Sequence, residues 1–429
     1  MHKNLYTFFH VIYLDGNALN WVEHEYIPIK REKCLMDNQV AILLVGINGY
    51  GDHYLKEILF NNNQKAILAG VVDINPKRSD NYDEVIRRKV PIYNNIEEFY
   101  QYHTADLAII STPIHFHKEQ SCYAMNQGSH VLCEKPMTSD PKDIEVMLDT
   151  RNRTGKFLAV GFNWSFTASV LQLKEDILKG DFGKPLRLKA MVQWPRNEAY
   201  YNRSSWAGKK HSSNGEMIYD SVANNAAAHF LHHLLYVAGD QLDTSASLDT
   251  VTAELYRMND IETFDTCAVK LTTTNNVDLY YYATHVVKEE RSPHFTLEFE
   301  NATITYNPNG GTSDMIAIWK DGSRKTYTDP DRNHLIKLDV CIDAILSKDY
   351  QIPCGPEAAS AHVQSIQAMH ESVSNIPSFP EQLVHYEENE TLYWVEGLAG
   401  DLTDCYNNWS LPSDLNLDWS IRGKTIKVK

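Results

Sequence analysis

The sequence predicts a doubly wound α/β fold in its first part and an α+β domain after it, on three observations. From Val40 onward, apolar runs alternate with segments of helical spacing. Those runs are continuous rather than alternating in polarity, as strands buried on both faces are. After about residue 165 the texture changes. Runs such as Asp278-Leu279-Tyr280-Tyr281-Tyr282 alternate, which suits a largely antiparallel open sheet with one covered face.

In order, Val40 to Ile47 reads as a strand, Tyr50 to Phe60 as a helix and Ala66 to Ile74 as a second strand. Helical pieces near Tyr82 to Arg88 and Ile96 to Tyr102 flank the short run Val90 to Tyr93. Strands follow at Leu107 to Ser111, His130 to Cys133 and Phe157 to Phe162, with helices near His115 to Asn126 and Pro141 to Thr154. Beyond them a helix at Ser169 to Leu178 leads into the strand Leu186 to Trp194, and helical spacing runs from about Met217 to Val237. Strand-like runs come next at Val251 to Met258, Thr266 to Thr273, Val277 to Val286, Phe295 to Tyr306 and Met315 to Trp319. Asn307 to Thr312 reads as a turn, and His334 to Ser374 returns to helix. The expected division is an extension over residues 1–37, a nucleotide-binding domain over 38–160 and a substrate-binding and oligomerisation domain over 161–429.

The 429 residues are 43% apolar and 22% charged, ordinary for a globular protein of two domains. A net charge of −16 with no basic run argues against nucleic acid and anionic lipid as partners. Seven scattered cysteines without a C-x-x-C pair read as buried small side chains in a reducing, cytoplasmic compartment. No apolar stretch reaches the roughly 18 residues that span a bilayer. The run Tyr6 to Leu14 is short and followed by Asp15, Glu23 and Glu25, which does not support a signal peptide. Residues 1–37 show no usable periodicity, and Met36 falls just before the first strand.

Four motifs carry chemistry. Val45-Gly46-Ile47-Asn48-Gly49-Tyr50-Gly51 lies between the first strand and first helix, where glycines permit a tight turn and close approach of a pyrophosphate to the helix N-terminus. Asn48 stands where the middle glycine is usual; asparagine tolerates left-handed backbone angles, so the turn can survive. Asp73 ends the second strand, where an acid binds the adenosine ribose hydroxyls and repels a 2′-phosphate. This favours NAD, with NADP possible because Lys77 and Arg78 lie close by. The alternative for Asp73 is a loop cap.

Ser111-Thr112-Pro113-Ile114-His115-Phe116-His117 and Cys133-Glu134-Lys135-Pro136 both lie at C-terminal strand ends, where open α/β sheets bind ligands. The fourth motif is Asp220 to His229, on which Asn225 and His229 share a helical face while Asp220 points away, and Asp220 or Ser221 reads as an N-cap.

The Thr-Pro-x-x-x-His pattern and Glu-Lys-Pro, in this order, closely resemble the Gfo/Idh/MocA family, named for glucose–fructose oxidoreductase, inositol dehydrogenase and a rhizopine-catabolism protein. The resemblance extends from residue 40 to about 425. It implies a Rossmann domain binding NAD(P) through Gly46, Asn48, Gly49, Tyr50, Gly51, Asp73, Ser111, Thr112, Pro113, His117, Glu134 and Lys135. It also implies that Lys135 orients or deprotonates the substrate hydroxyl, that Pro136 follows a cis bond, and that Glu134 contacts cofactor. A lysine partly desolvated in a cleft has a lowered pKa and suits proton transfer. On the family's Asp-x-x-x-His pair, His229 matches the histidine near the substrate carbon, and Asn225 stands where the aspartate is usual. Asparagine takes up no proton, so the usual relay is altered and His229 alone is left as acid/base, unless it is a core histidine bonded to backbone.

Asn163 at a strand end and the stretch containing Trp194, Arg196 and Trp206 pair aromatic faces with polar groups, as sugar sites do, though aromatics are also ordinary core. These join Asn225 and His229 as expected substrate contacts. No metal is expected, since no acid or cysteine completes a ligand set around His115, His117, His232 and His233. The leading expectation is an NAD(P)-dependent dehydrogenase passing a hydride between nicotinamide and a hydroxyl or keto carbon of a sugar, sugar acid or cyclitol. Two alternatives remain: an NAD-dependent glycosidase working through redox and elimination, as some family members do, and a non-catalytic regulator that binds NAD and sugar. The resemblance also implies a homodimer or homotetramer, with the exposed face of the second sheet as its interface.

Overall fold

Uninterrupted apolar strands need cover on both faces, and the first sheet has it. The computed structural model describes residues 39–61, 64–307 and 313–428. The expected extension, residues 1–37, lies outside them, as does most of the Asn307–Thr312 turn. In chain order the first domain runs β1 (Val40–Val45), α1 (Tyr50–Phe60), β2 (Ala66–Val72), α2 (Tyr82–Arg87), β3 (Ile92–Tyr93), α3 (Ile96–Tyr102), β4 (Leu107–Ile110), α4 (His117–Asn126), β5 (His130–Cys133), α5 (Pro141–Thr154) and β6 (Leu158–Val160). All pairings are parallel and the strand order is β3-β2-β1-β4-β5-β6, the doubly wound Rossmann arrangement. β4 and β5 are buried along their whole length. Local chemistry sets the helix ends: Asp140 accepts the Lys142 amide, Pro141 opens α5, and Gly155 closes it in the left-handed region at φ 66.

The second domain continues with α6 (Ala168–Lys179), β7 (Pro185–Gln193), α7 (Glu198–Tyr201), α8 (Ala228–Val237), β8 (Leu248–Tyr256), β9 (Thr266–Thr273), β10 (Asp278–Thr284), β11 (Arg291–Phe299), β12 (Ala302–Tyr306), β13 (Met315–Trp319) and β14 (Arg324–Tyr327). It ends with α9 (Ile336–Ser347), α10 (Pro356–Ser372), β15 (Val384–Glu387), β16 (Leu392–Val395), α11 (Leu398–Asn408) and β17 (Ile426–Lys427). Nine strands form one sheet in the order β14-β13-β12-β11-β7-β10-β9-β8-β17. Every pair is antiparallel except β7 with β10.

Three expectations need correction. The run Phe295 to Tyr306 is two antiparallel strands, β11 and β12, because the chain reverses at Glu300-Asn301. The helix expected from Met217 begins only at Ala228: Tyr219 sits at φ 45 and residues 222–227 form turns. Tertiary bonds to Asp220 from Arg203, Gly208 and Thr263 override the helical propensity of that alanine-rich run.

The outer face of the sheet is not open over β7, β8, β9 and β10. Met191, Tyr280 and Tyr282 are buried there beneath Leu398, Leu402 and Tyr406. Lys189 donates to the Tyr406 carbonyl at 2.6 Å and lies 4.0 Å from the Trp409 ring centre, while the Tyr282 hydroxyl donates to Ser410 at 2.8 Å. This half of the expected oligomer interface is therefore taken by the chain's own residues.

Candidate active site

The β1–α1 turn is built for close approach. Gly46 and Gly49 have positive φ, 82 and 58, while Asn48 does not, so the left-handed role expected of Asn48 is not used. Its side chain does other work. The Asn48 amide donates to both Asp73 oxygens at 3.0 Å, and Asp73 also accepts from the Ile47 amide at 2.9 Å and the Asn75 amide at 2.7 Å. Asp73 thus caps the loop, as the alternative reading expects, with its carboxylate at the end of β2. A Cβ on Gly51 would lie 1.9 Å from the Gly46 carbonyl oxygen, and one on Gly46 would lie 2.6 Å from that of Ser111. Gly51→Ala must therefore open the turn; isothermal titration is expected to show NAD affinity lowered at least about tenfold, since a moved turn misplaces several backbone donors.

The cradle fits a dinucleotide. Backbone is bare at Gly46, Gly49 and Gly51, the helix α1 begins at Tyr50, and the Asn48 Oδ1 is buried with no partner among the described residues. Beyond it, Ser111, Thr112 and Pro113 end β4, with the Thr112 hydroxyl donating to Gln120 at 2.6 Å. His117 is buried and places its two ring nitrogens 2.8 Å from the Pro136 and Thr112 carbonyls, so it braces the two loops against each other.

Glu134 and Lys135 follow β5, and the Lys135–Pro136 bond is cis. Glu134 is buried, and its carboxylate accepts from the Tyr54 hydroxyl at 2.7 Å and from Lys337 of α9. Lys337 is fully buried and also donates to the Gly161 carbonyl at 3.1 Å. Burial alone would raise the Glu134 carboxyl; Lys337 and the Tyr54 hydroxyl carry it below its ordinary value. A Cβ at Gly161 would meet that carboxylate at 2.9 Å, so any side chain there must displace it from Lys337 or Tyr54. Tyr50 and Tyr54 flank the ammonium of Lys337 at 4.7 and 5.4 Å. The expected cofactor contacts Glu134 and Tyr50 are thus joined by Lys337, a residue that sequence reasoning missed.

Lys135 points across to the second domain, where its ammonium donates to the Asn225 carbonyl at 2.8 Å and the Asn225 Oδ1 at 3.3 Å. Burial lowers its pKa to about 8, against a pull upward from Glu134. The Asn225 amide donates in turn to Asp220 at 2.7 Å, and Asp220 accepts from the Gly208 amide at 2.7 Å and Arg203 at 3.1 Å. The expectation that Asp220 points away as an N-cap is therefore corrected. The irregular turn folds it back behind Asn225, and a carboxylate returns to the site one side chain further out. Ser221 does cap locally, accepting the Asn224 amide at 3.2 Å.

His229 lies in the first turn of α8, and its Nδ1 is buried without a partner among the described residues. Burial, then the charges of Lys135 and Lys337, hold it well below the ordinary histidine value, so the free protein carries a neutral ring there. Of the two, Lys135, its pKa lowered by burial to about 8, lies nearer to neutral pH. Asn163, which is buried, keeps its Oδ1 without a partner among the described residues, and so does the Nε1 of Trp194. Trp194 packs edge-on against Phe230, the neighbour of His229, at 5.7 Å. Arg196 lies 5.6 Å from the Trp194 ring and Arg203 lies 5.0 Å from the Trp206 ring, so one arm, residues 194–206, carries these expected contacts.

Comparison with known proteins identifies the family and the fold. Residues 40–162 match the model of an oxidoreductase family with an NAD-binding Rossmann fold, and residues 170–305 match the GFO/IDH/MocA C-terminal domain. The glucose-6-phosphate 3-dehydrogenase of Bacillus subtilis is 30% identical over 136 residues, 32% of this chain and 37% of that protein. The D-glucoside 3-dehydrogenase of Escherichia coli is 35% identical over 79 residues, 18% of this chain and 22% of that one. The chain thus matches less than half the length of these curated relatives. Among solved structures, the WlbA dehydrogenase of Bordetella pertussis, in complex with NADH and UDP-GlcNAcA, superposes with a TM-score of 0.63 at 19% identity, over 79% of this chain and 97% of that one. The apo scyllo-inositol dehydrogenase of Lactobacillus casei gives 0.61 at 14% identity, over 78% and 96%. The chain belongs to the Gfo/Idh/MocA family of oxidoreductases, with the family's NAD-binding Rossmann domain at residues 40–162 and its C-terminal domain matched over residues 170–305.

Proposed function

We propose that the protein interconverts a ring hydroxyl and ketone on a sugar, sugar acid or cyclitol, with NAD preferred over NADP. The observation that carries this reading is Lys135, a buried amine with a pKa of about 8, held by Asn225 beside the neutral ring of His229. Bound in the Gly46–Gly51 cradle, the nicotinamide cofactor supplies the two-electron acceptor or donor. In the oxidative direction the neutral Lys135 amine takes the proton of the substrate hydroxyl, and His229 holds that oxygen with its free nitrogen. Asn225 cannot exchange a proton, so its part is to hold Lys135 at both its carbonyl oxygens. Asp220 fixes the Asn225 amide so that the acceptor face points at Lys135. Asp73 disfavours the 2′-phosphate of NADP by charge. The names of the relatives, dehydrogenases of glucose 6-phosphate, glucosides and inositols, support a polyhydroxylated ring as substrate. The six described cysteines are all free, which fits a reducing, cytoplasmic compartment.

The test supplies NAD and NADP with a panel of sugars, uronic acids, cyclitols and aryl glycosides, following reduced nicotinamide and released aglycone together. NADH formed from one polyol supports the reading. Aglycone release without NADH accumulation would replace it with the glycosidase reading, and NAD binding with silence in both channels would favour a regulator.

A further inference from the structure

Two arginines stand on the arm between β7 and α8, and their surroundings differ. Arg203 is committed: it donates to Asp220 at 3.1 Å and to the Tyr200 carbonyl at 2.6 Å, and its guanidinium lies 4.0 Å from the Tyr200 ring. Arg196 is half-buried and has no acidic partner among the described residues. Its guanidinium makes one hydrogen bond, 3.0 Å to the Pro195 carbonyl next to it in the chain, and lies 5.6 Å from the Trp194 ring and 5.4 Å from the Tyr200 ring. A guanidinium offers five donors in a fixed planar fork, so most of this one is unspent.

Three acids on the arm and on the segments beside it have partners of their own. Asp220 is bound by Arg203, Gly208 and Asn225; Glu198 accepts from the Tyr386 hydroxyl at 3.2 Å; Asp265 is buried among the Met258 and Asn259 donors. The backbone beneath Arg196 is firm, because its amide donates to His285 at 3.1 Å and that of Trp194 donates to Thr284 at 3.0 Å. The Trp194 Nε1, a second donor on the same arm, is buried and has no partner among the described residues. Partly desolvating a positive charge without a counter-charge is unfavourable, and the missing negative group is one that a ligand can bring.

We infer that the substrate carries an anionic group, a carboxylate or a phosphate ester, and that Arg196 is the side chain that reads it. This rests on the proposed reading of the site as one for a polyhydroxylated ring. It adds that the ring bears an acid, gripped by Arg196 while Lys135 and His229 address the reacting hydroxyl. Arg203 belongs to the support of Asp220 and Asn225 and does not discriminate between substrates.

Glucose, glucuronate and glucose 6-phosphate differ in this group alone, and both binding and turnover separate them. Titrated into protein loaded with NADH, the glucuronate or the phosphate is expected to bind at least about tenfold tighter than glucose, and whichever does so names the source of the charge. In Arg196→Gln the ratio of anionic to neutral affinity is expected to fall about ten- to a hundredfold, with Arg196→Lys recovering part of it. Absence of any preference in the natural protein, or an unchanged ratio in Arg196→Gln, would overturn the inference. The two readings fail separately: an Arg196-dependent binding preference with no NADH formed by any sugar sinks the dehydrogenase alone, and turnover of glucose without that preference sinks only the anion site.

Discussion

Lys135→Met is expected to lower turnover by about a hundred- to ten-thousandfold, the range that a positioned acid or base contributes. NAD affinity should change little, because the dinucleotide turn and Asp73 lie elsewhere. Turnover is read from NADH absorbance at saturating substrate, and NAD affinity from calorimetry. With a pKa of about 8, the natural enzyme should oxidise faster as pH rises through that value, since the neutral amine is the base. Its reductive rate should fall over the same interval, since the ammonium is the acid. The substituted enzyme should show neither limb, and Lys135→Arg should not restore them because guanidinium stays protonated. An unaltered pH profile in Lys135→Met would take the proton-transfer role away from this lysine.

Lys337→Met is expected to cost about 3–5 kcal/mol of stability, read as a fall in the urea midpoint, because it strands the Glu134 carboxylate in the interior. The pH dependence carries a distinct sign. In the natural protein the folded-state pKa of Glu134 is depressed, so its contribution is present above the ordinary glutamate value and is lost as pH falls through the folded value. Without Lys337 burial raises that pKa instead, so the penalty appears as pH rises through the ordinary value and fades in acid. The two stability curves should therefore converge toward low pH. Adding Glu134→Gln to Lys337→Met removes the stranded charge and should recover much of the loss; a double variant as unstable as the single one would show that the ammonium acts through Gly161 or the tyrosine rings instead.

Most of the first domain was legible because its signals are local. A parallel strand with both faces covered is a plain apolar run, and Tyr50–Phe60, His130–Cys133 and Pro141–Thr154 fall where the spacing puts them. The dinucleotide turn was legible for the same reason. Lys337 was not, since its partner Glu134 is about two hundred residues away; the signal available was a lysine on the same helical face as Cys341, both buried. Asp220 was misread because alanine-rich spacing extends a helix on paper, while bonds to Arg203, Gly208 and Asn225 hold an irregular turn in fact. The covered sheet face was hidden because strand alternation reports that two faces differ without naming what packs on the second.

That cover has a consequence for how the protein is made. Tyr280 and Tyr282 leave the ribosome more than a hundred residues before Leu398, the first residue of the helix that shields them. At synthesis rates of about 5–20 residues per second, roughly six to twenty seconds separate the making of these tyrosines from that of their cover. The outer face of the sheet is therefore completed only when residues 398–408 have been made, however early its strands arrive.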